Sequence, residues 1–289
     1  MKKYLFQLAI SCIVLLWVVH SLRDTDWNAA TDALSGISLS RLSACFLCVI
    51  LVYISRAFRL RHWVESLESE RLSRTEWADI YLKSIAFGSI TPARLGDFSR
   101  IALLEKTGLG LMLRSKITLL DKLSDVVYIP LGICLTAGIV GEKLQISGIW
   151  LFAGGMAALI IYLAGAYGFG RFLGFRALCV GGTATMLGFC FFIASNCLLF
   201  QAAGIQLGVW EITAIILSVG VLVSLPVSIG GIGIREGSLI SLLKLWDANP
   251  ANIPSVLALE FVANIILPIV LYLIWKALKA LMLKDQSPA

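Results

Sequence analysis

Residues 224–243 read SLPVSIGGIGIREGSLISLL. The stretch is oily enough for a membrane helix. Yet it carries Pro226 near its start, crowds Gly230, Gly231 and Gly233 into four positions, and then sets Arg235 beside Glu236. Backbone that leaves helical geometry in hydrocarbon exposes N–H and C=O groups, and it survives only against protein or a watery cavity. Pro226 lacks an N–H, and glycines reach backbone angles that other residues avoid. A turn is therefore expected near 228–232, followed by a short helix starting near Ile232. The N-terminus of such a helix offers N–H groups and partial positive charge to an anion such as phosphate. Arg235 would stand on its first turn, where a charge in hydrocarbon costs roughly 3 kcal/mol. That cost calls for a partner: Glu236, an acid from elsewhere in the chain, or a ligand anion.

The rest of the chain makes hydrocarbon its natural solvent. Of 289 residues, 58% are hydrophobic and 15% charged, and the mean hydropathy is +0.88. A soluble domain of this length carries about a quarter charged residues. Apolar runs recur from end to end, which defines an all-α polytopic membrane protein. Full spans are expected near 4–22, 42–58, 126–141, 149–168, 177–200 and 255–278. The run at 4–22 reads as an uncleaved span rather than a signal peptide, because no small-x-small site follows it. Two further stretches, 76–106 and 212–246, are apolar but interrupted and read as re-entrant hairpins. The whole chain, 1–289, forms one integral membrane domain with possible half-repeats 1–145 and 146–289.

Orientation follows the Lys and Arg count. If each hairpin returns to its own side, both termini are cytoplasmic. That side then holds Lys2, Lys3, Arg56, Arg59, Arg61, Arg71, Arg74, Lys106, Arg171, Arg176, Lys276 and Lys279 among others. Outside the hairpins, the far side holds only Arg23, Arg41 and Lys143. The charged region 59–83 reads as a solvated helix pair at the membrane boundary. The net charge of +6 is thus an orientation signal, and nucleic acid is excluded as a partner. Seven cysteines fall in apolar segments and read as small buried side chains. His20 and His62 lie on different segments, so no metal constellation is expected, and no cofactor. No nucleophile–base pair is visible and no Walker motif is present, so neither catalysis nor ATP hydrolysis is expected.

The first interrupted stretch shares the grammar of the second. SITPARLGDFSRIALLEK (89–106) again runs serine, proline, glycine, arginine and an acid together. Two Pro/Gly-broken segments about half a chain apart, at Pro92 and Pro226, point to an inverted repeat with a site at its interface. Arg94, Arg100 and Arg235 are the candidate substrate-binding cations, since a guanidinium fork holds phosphate in a bidentate way. Gly230, Gly231 and Gly233 shape the site's backbone. Asp97 and Glu236 would set the arginines' geometry. A third cluster, LLDKLSDVVYIPL (119–131), puts Asp121 and Asp125 four apart on one helix face beside Lys122. These are candidate ion-pair partners for Arg94 or Arg100, or a solvated helix end. A purely structural Arg–acid lock between the hairpins is the plain alternative to a binding site.

PARLGDFSR (92–100), DKLSD (121–125) and LPVSIGGIGIREG (225–237), in this order and spacing, resemble the transmembrane, flippase-like domain of lysylphosphatidylglycerol synthetases. The resemblance implies a bacterial-type inner-membrane protein with two re-entrant hairpins that moves a lipid between leaflets. Asp97 stands where the family usually has Glu, and Asp121-Lys122 where it has Glu-Arg. The sequence ends at Ala289 without the soluble aminoacyl-transferase domain of the fused synthetases, so a stand-alone member is expected. The lipids this resemblance implies are aminoacyl-phospholipids, hopanoid-type lipids and polyprenyl-phosphate glycolipids. A small soluble anion as cargo, and a non-catalytic subunit of a lipid- or glycan-modifying system, are the alternatives.

Overall fold

The computed structural model describes residues 37–67, 71–224 and 233–284. The expected span 4–22, together with Pro226, Gly230, Gly231 and the side chain of Arg94, lies outside the described part. Among the described residues every regular element is helical. Five stretches are long and apolar enough to cross a membrane: Leu39–Glu65, Leu111–Leu144, Gly148–Leu173, Phe175–Ala202 and Pro250–Met282. They coincide with five of the six expected spans.

Helix α1 (Leu39–Glu65) runs through the charged cluster at its C-terminal end. Helix α2 (Arg74–Ile90) starts on a reciprocal cap. The Ser73 hydroxyl accepts from the Glu76 N–H, while the Glu76 carboxylate accepts from the Ser73 N–H at 2.9 Å. These bonds from Ser73 hold the exposed Glu76 carboxyl below its ordinary range. The helix stops at Thr91, whose extended backbone is what the residue before a proline prefers. The chain then tightens into a 3-10 segment, Pro92–Ser99, and a short helix α3 (Arg100–Leu103). Thr91 staples this turn: its hydroxyl donates to the Phe87 carbonyl at 2.9 Å and accepts from the Gly96 N–H at 2.6 Å. Gly96 is required here, since a Cβ would sit 2.3 Å from the Phe87 carbonyl oxygen. The first broken stretch is thus a closed hairpin.

Helices α4 (Leu111–Val126) and α5 (Tyr128–Leu144) form one span interrupted at Val127. Pro130, which has no N–H to return to the preceding turn, explains the interruption. The expected span 126–141 therefore extends toward its N-terminus instead of starting at 126. Helix α6 (Gly148–Gly170) faces mostly outward, and α7 (Phe175–Ala202) packs along α1. The second broken stretch begins as α8 (Val209–Ser224) and resumes as α9 (Ile234–Leu245). Gly233 precedes α9 with φ of 86°, a left-handed conformation that a side chain would strain. The last span consists of α10 (Ile253–Phe261), a π-helical turn (Val262–Ile266) and α11 (Leu267–Lys284). Pro268 removes the donor for the Asn264 carbonyl, which accounts for a widened turn at that point.

Two apolar cores anchor the hairpins. Tyr53, Leu60, Ile80, Ile85, Leu104 and Ile117 seat the first one between α1, α2 and α4. Ile212, Ile215, Leu239, Ile240, Leu243 and Val256 seat the second against α7 and α10. Of the cysteines, Cys45 is buried as expected. Cys179 and Cys190, by contrast, are exposed on α7.

Candidate functional site

The charged residues of α1, α3 and α4 form one buried network. Arg59, with no exposed surface, donates through Nε to Asp121 Oδ1 at 2.8 Å. Its Nη2 reaches the same oxygen at 2.6 Å, the Asp121 carbonyl at 2.9 Å and Asp125 Oδ1 at 3.0 Å. Its Nη1 donates to the Thr185 hydroxyl on α7 at 3.0 Å. Arg100 pairs with the second Asp121 oxygen, donates to the Ser84 hydroxyl at 2.8 Å, and lies over the Tyr81 ring. Asp97 pairs with Lys122, and Asp125 lies 3.3 Å from Arg56. A single carboxylate, Asp121, thus holds two guanidinium groups from separate elements. Burying such charges is tolerable only when every donor finds an acceptor, and Arg59 meets that condition.

This geometry corrects three expectations. The region 59–83 is not a solvated helix pair throughout, because Arg59 is enclosed and Arg100 and Asp121 close over it. Asp121 and Asp125 are not a solvated helix end. Arg100, expected to line the binding cavity, is instead locked between α2 and α4. Of the gating or ion-pair residues that the sequence singled out, Asp97, Asp121, Lys122 and Asp125 lie together in this network, whereas Glu236 lies at the start of α9.

Beside the network lies a cavity of about 370 Å³. Its polar lining comprises Arg56, Lys122, Asp125, Asn196, Arg235, Glu260 and Asn264, with Phe98, Tyr128 and Phe192 among its rings. Phe98 comes from the first hairpin and Arg235 from the second, and α8 touches the Pro92–Ser99 turn. The two broken segments therefore converge on one space. Among the described lining residues three cations face two carboxylates, so the charge is closer to balance than the expected cationic pocket.

Glu236 is one of the three partners that the sequence offers Arg235. Its carboxylate accepts from the Gly233 N–H at 2.6 Å, completing half of a capping box. The start of α9 is thereby occupied by a protein anion, where a phosphate had been expected. Glu260 is the residue that sequence reasoning missed. It is buried, and its Oε2 accepts from Asn264 Nδ2 at 2.5 Å across the π-helical turn. The signal was present: an acid and an amide four apart in an apolar span, just ahead of Pro268. Single-turn π-helices concentrate at functional sites.

Fold and cavity together define a class: an all-helical polytopic membrane protein with a polar chamber between two broken segments. A family model described as the lysylphosphatidylglycerol synthase TM region matches residues 4–175, more than half of the chain, and the chain belongs to that family. Membership gives it a membrane-lipid-related function. A search of curated proteins found no match. The matched region ends before α8 and does not include the stretch 224–243.

Proposed function

We propose that the protein moves an amphipathic, phosphate-bearing lipid between leaflets of a bacterial-type inner membrane, with both termini cytoplasmic. The observation that carries this reading is the chamber between the two hairpins, lined by Arg56, Lys122 and Arg235 against Asp125 and Glu260. A headgroup leaving water needs such partners, because an unpaired charge in hydrocarbon is expelled. Arg56 lies beside Asp125 and Lys122 pairs with Asp97, so an entering phosphate exchanges partners with protein carboxylates. The chamber is then close to neutral both empty and loaded, and neither state carries a large uncompensated charge. Substrates compatible with it are aminoacyl-phospholipids, hopanoid-type lipids bearing phosphate, and polyprenyl-phosphate glycolipids. No bond is made or broken in this reading. Arg94, Gly230 and Gly231 remain candidate substrate contacts on the sequence alone.

The test is leaflet exchange of a fluorescent phosphatidylglycerol in vesicles holding the purified protein. Arg235→Ala and Lys122→Ala are each expected to slow exchange by about tenfold or more, equivalent to ~1.4 kcal/mol. Lys143→Ala, at the far rim, leaves the rate unchanged. Parent-like exchange in both chamber variants, with folding intact, rules the reading out.

A further inference from the structure

Two apolar grooves mark the described surface away from the chamber. One, of about 380 Å³, runs between α5, α6 and α8 past Gly132, Ile133, Thr136, Val140, Ser218 and Leu222. The other, of about 230 Å³, lies between α4, α6 and α7 past Leu120, Tyr162, Tyr167, Phe175 and Met186. They differ in one respect. The first shares Ile129 and Leu217 with the polar chamber, whereas among the described residues the second shares no lining residue with it.

We propose that the first groove binds one hydrocarbon chain of the lipid whose headgroup occupies the chamber, with Ile129 and Leu217 as the sill between the two. This rests on the headgroup reading above. Helix α8 is the partition: Val219, Gly220 and Val223 line the chamber, while Ser218, Val221 and Leu222 line the groove. At the sill α8 meets α5 closely, since a Cβ on Gly132 would lie 1.7 Å from Leu217 Cδ1. A leucine side chain closing on a glycine is a seal that a rotamer change can open. The groove follows α5 from Ile129 to Val140, about 16 Å at 1.5 Å per residue, a length suited to an extended acyl or prenyl chain. Its lining asks for hydrocarbon: the Thr136 hydroxyl is already donated to the Gly132 carbonyl at 2.8 Å. Ile133 and Leu222 are 39% and 40% exposed, so the groove opens outward, where the bilayer lies. A headgroup in the chamber and its chain in the groove thus lie on the two sides of one helix.

The experiment uses the full chain in phosphatidylglycerol vesicles doped with either of two photo-crosslinkers. One is phosphatidylglycerol with a diazirine at the end of an acyl chain, and the other carries the diazirine on the headgroup. The chain probe is expected to label peptides covering 129–140 and 214–222. Ile133→Trp, which fills the groove, lowers that labelling by about tenfold, the scale of two buried methylene groups lost. Met186→Trp, at an equally exposed position in the other groove, leaves it unchanged. Leu222→Trp replaces Ile133→Trp if the latter does not reconstitute. Equal labelling of both grooves, or full labelling after the groove is filled, overturns the proposal. Headgroup labelling of the chamber with no chain labelling of the groove sinks the tail site alone. Absence of headgroup labelling in the parent protein sinks the headgroup reading.

Discussion

Asp121 and Glu260 are both buried acids in apolar spans, and their surroundings predict opposite responses to the same chemical change. Asp121 neutralises Arg59 and Arg100 at once, through separate oxygens. Asp121→Asn keeps the shape but removes the charge, leaving two enclosed guanidinium groups short of a counter-ion. Breaking a buried ion pair in this way costs about 3–5 kcal/mol. The expected outcome is a large drop in thermal midpoint, or no folded protein, on detergent-solubilised material. Glu260 instead meets a neutral amide, Asn264, at close range, so Glu260→Gln can retain a hydrogen bond there. Its cost is expected to stay within about 1 kcal/mol, as for a mild point change. Equal destabilisation by both variants would show that Asp121 is not the keystone of the network. The sequence already placed Asp121 and Asp125 on one helix face. It could not show that Arg59, some sixty positions earlier, was their partner, because α1 continues smoothly past the boundary that composition implied.

At the scale of elements, what was legible is the break itself. Proline followed by glycine in an oily run forces backbone out of helix, so two hairpins could be expected without coordinates. How each break is finished was not legible, because that depends on contacts within a few ångströms. The first hairpin closes because Gly96 lies against the Phe87 carbonyl and Thr91 bonds both legs. Gly96→Ala is therefore expected to prise the 3-10 segment from α2 at about 1–3 kcal/mol, the usual range for overpacking. The same shift loosens the Asp97–Lys122 pair. Faster hydrogen exchange confined to 88–103 is the expected signature, and unchanged exchange there would refute the close approach. The second hairpin restarts at α9 near the expected position, but with Glu236 as its own cap. The Ser73–Glu76 cap of α2 follows a readable S-x-x-E spacing, whereas Gly233 as a cap is recognisable only from its positive φ. Glu260 escaped notice because an isolated acid in an apolar run acquires meaning only when a neighbouring turn and a cavity face it.

For the molecule as a whole, three long-range contacts fix which ends share a face. Lys143 Nζ lies 2.8 Å from Asp247 Oδ2, joining the end of α5 to the end of α9. Asn252 donates to the Gly204 carbonyl at 2.9 Å, joining the start of the last span to the end of α7. At the other end, Lys279 lies 3.3 Å from Asp79, joining α11 to the start of the first hairpin. Exposed pairs of this kind contribute about 0–1 kcal/mol each, so their value is as markers of position. They place the entrances of the two hairpins at opposite ends of the helices, the arrangement required if each hairpin returns to its own side. The excess of Lys and Arg at the Lys279 end is the reason for the proposed cytoplasmic placement of that end. In a cysteine-free background, a membrane-impermeant thiol reagent added to intact cells is expected to label Gln145→Cys and Asp247→Cys together. Ser66→Cys and Lys106→Cys should react only after the membrane is opened. Labelling of 145 and 247 from different sides would contradict the paired hairpins themselves, whereas labelling of all four in the reverse sense would overturn the orientation alone. Because the buried network lies on α1 about 30 Å beyond Leu39 at 1.5 Å per residue, the same experiment also locates it. If Ser66→Cys proves to react from the inside, the Arg59–Asp121–Arg100 lock lies at the cytoplasmic end of the helices.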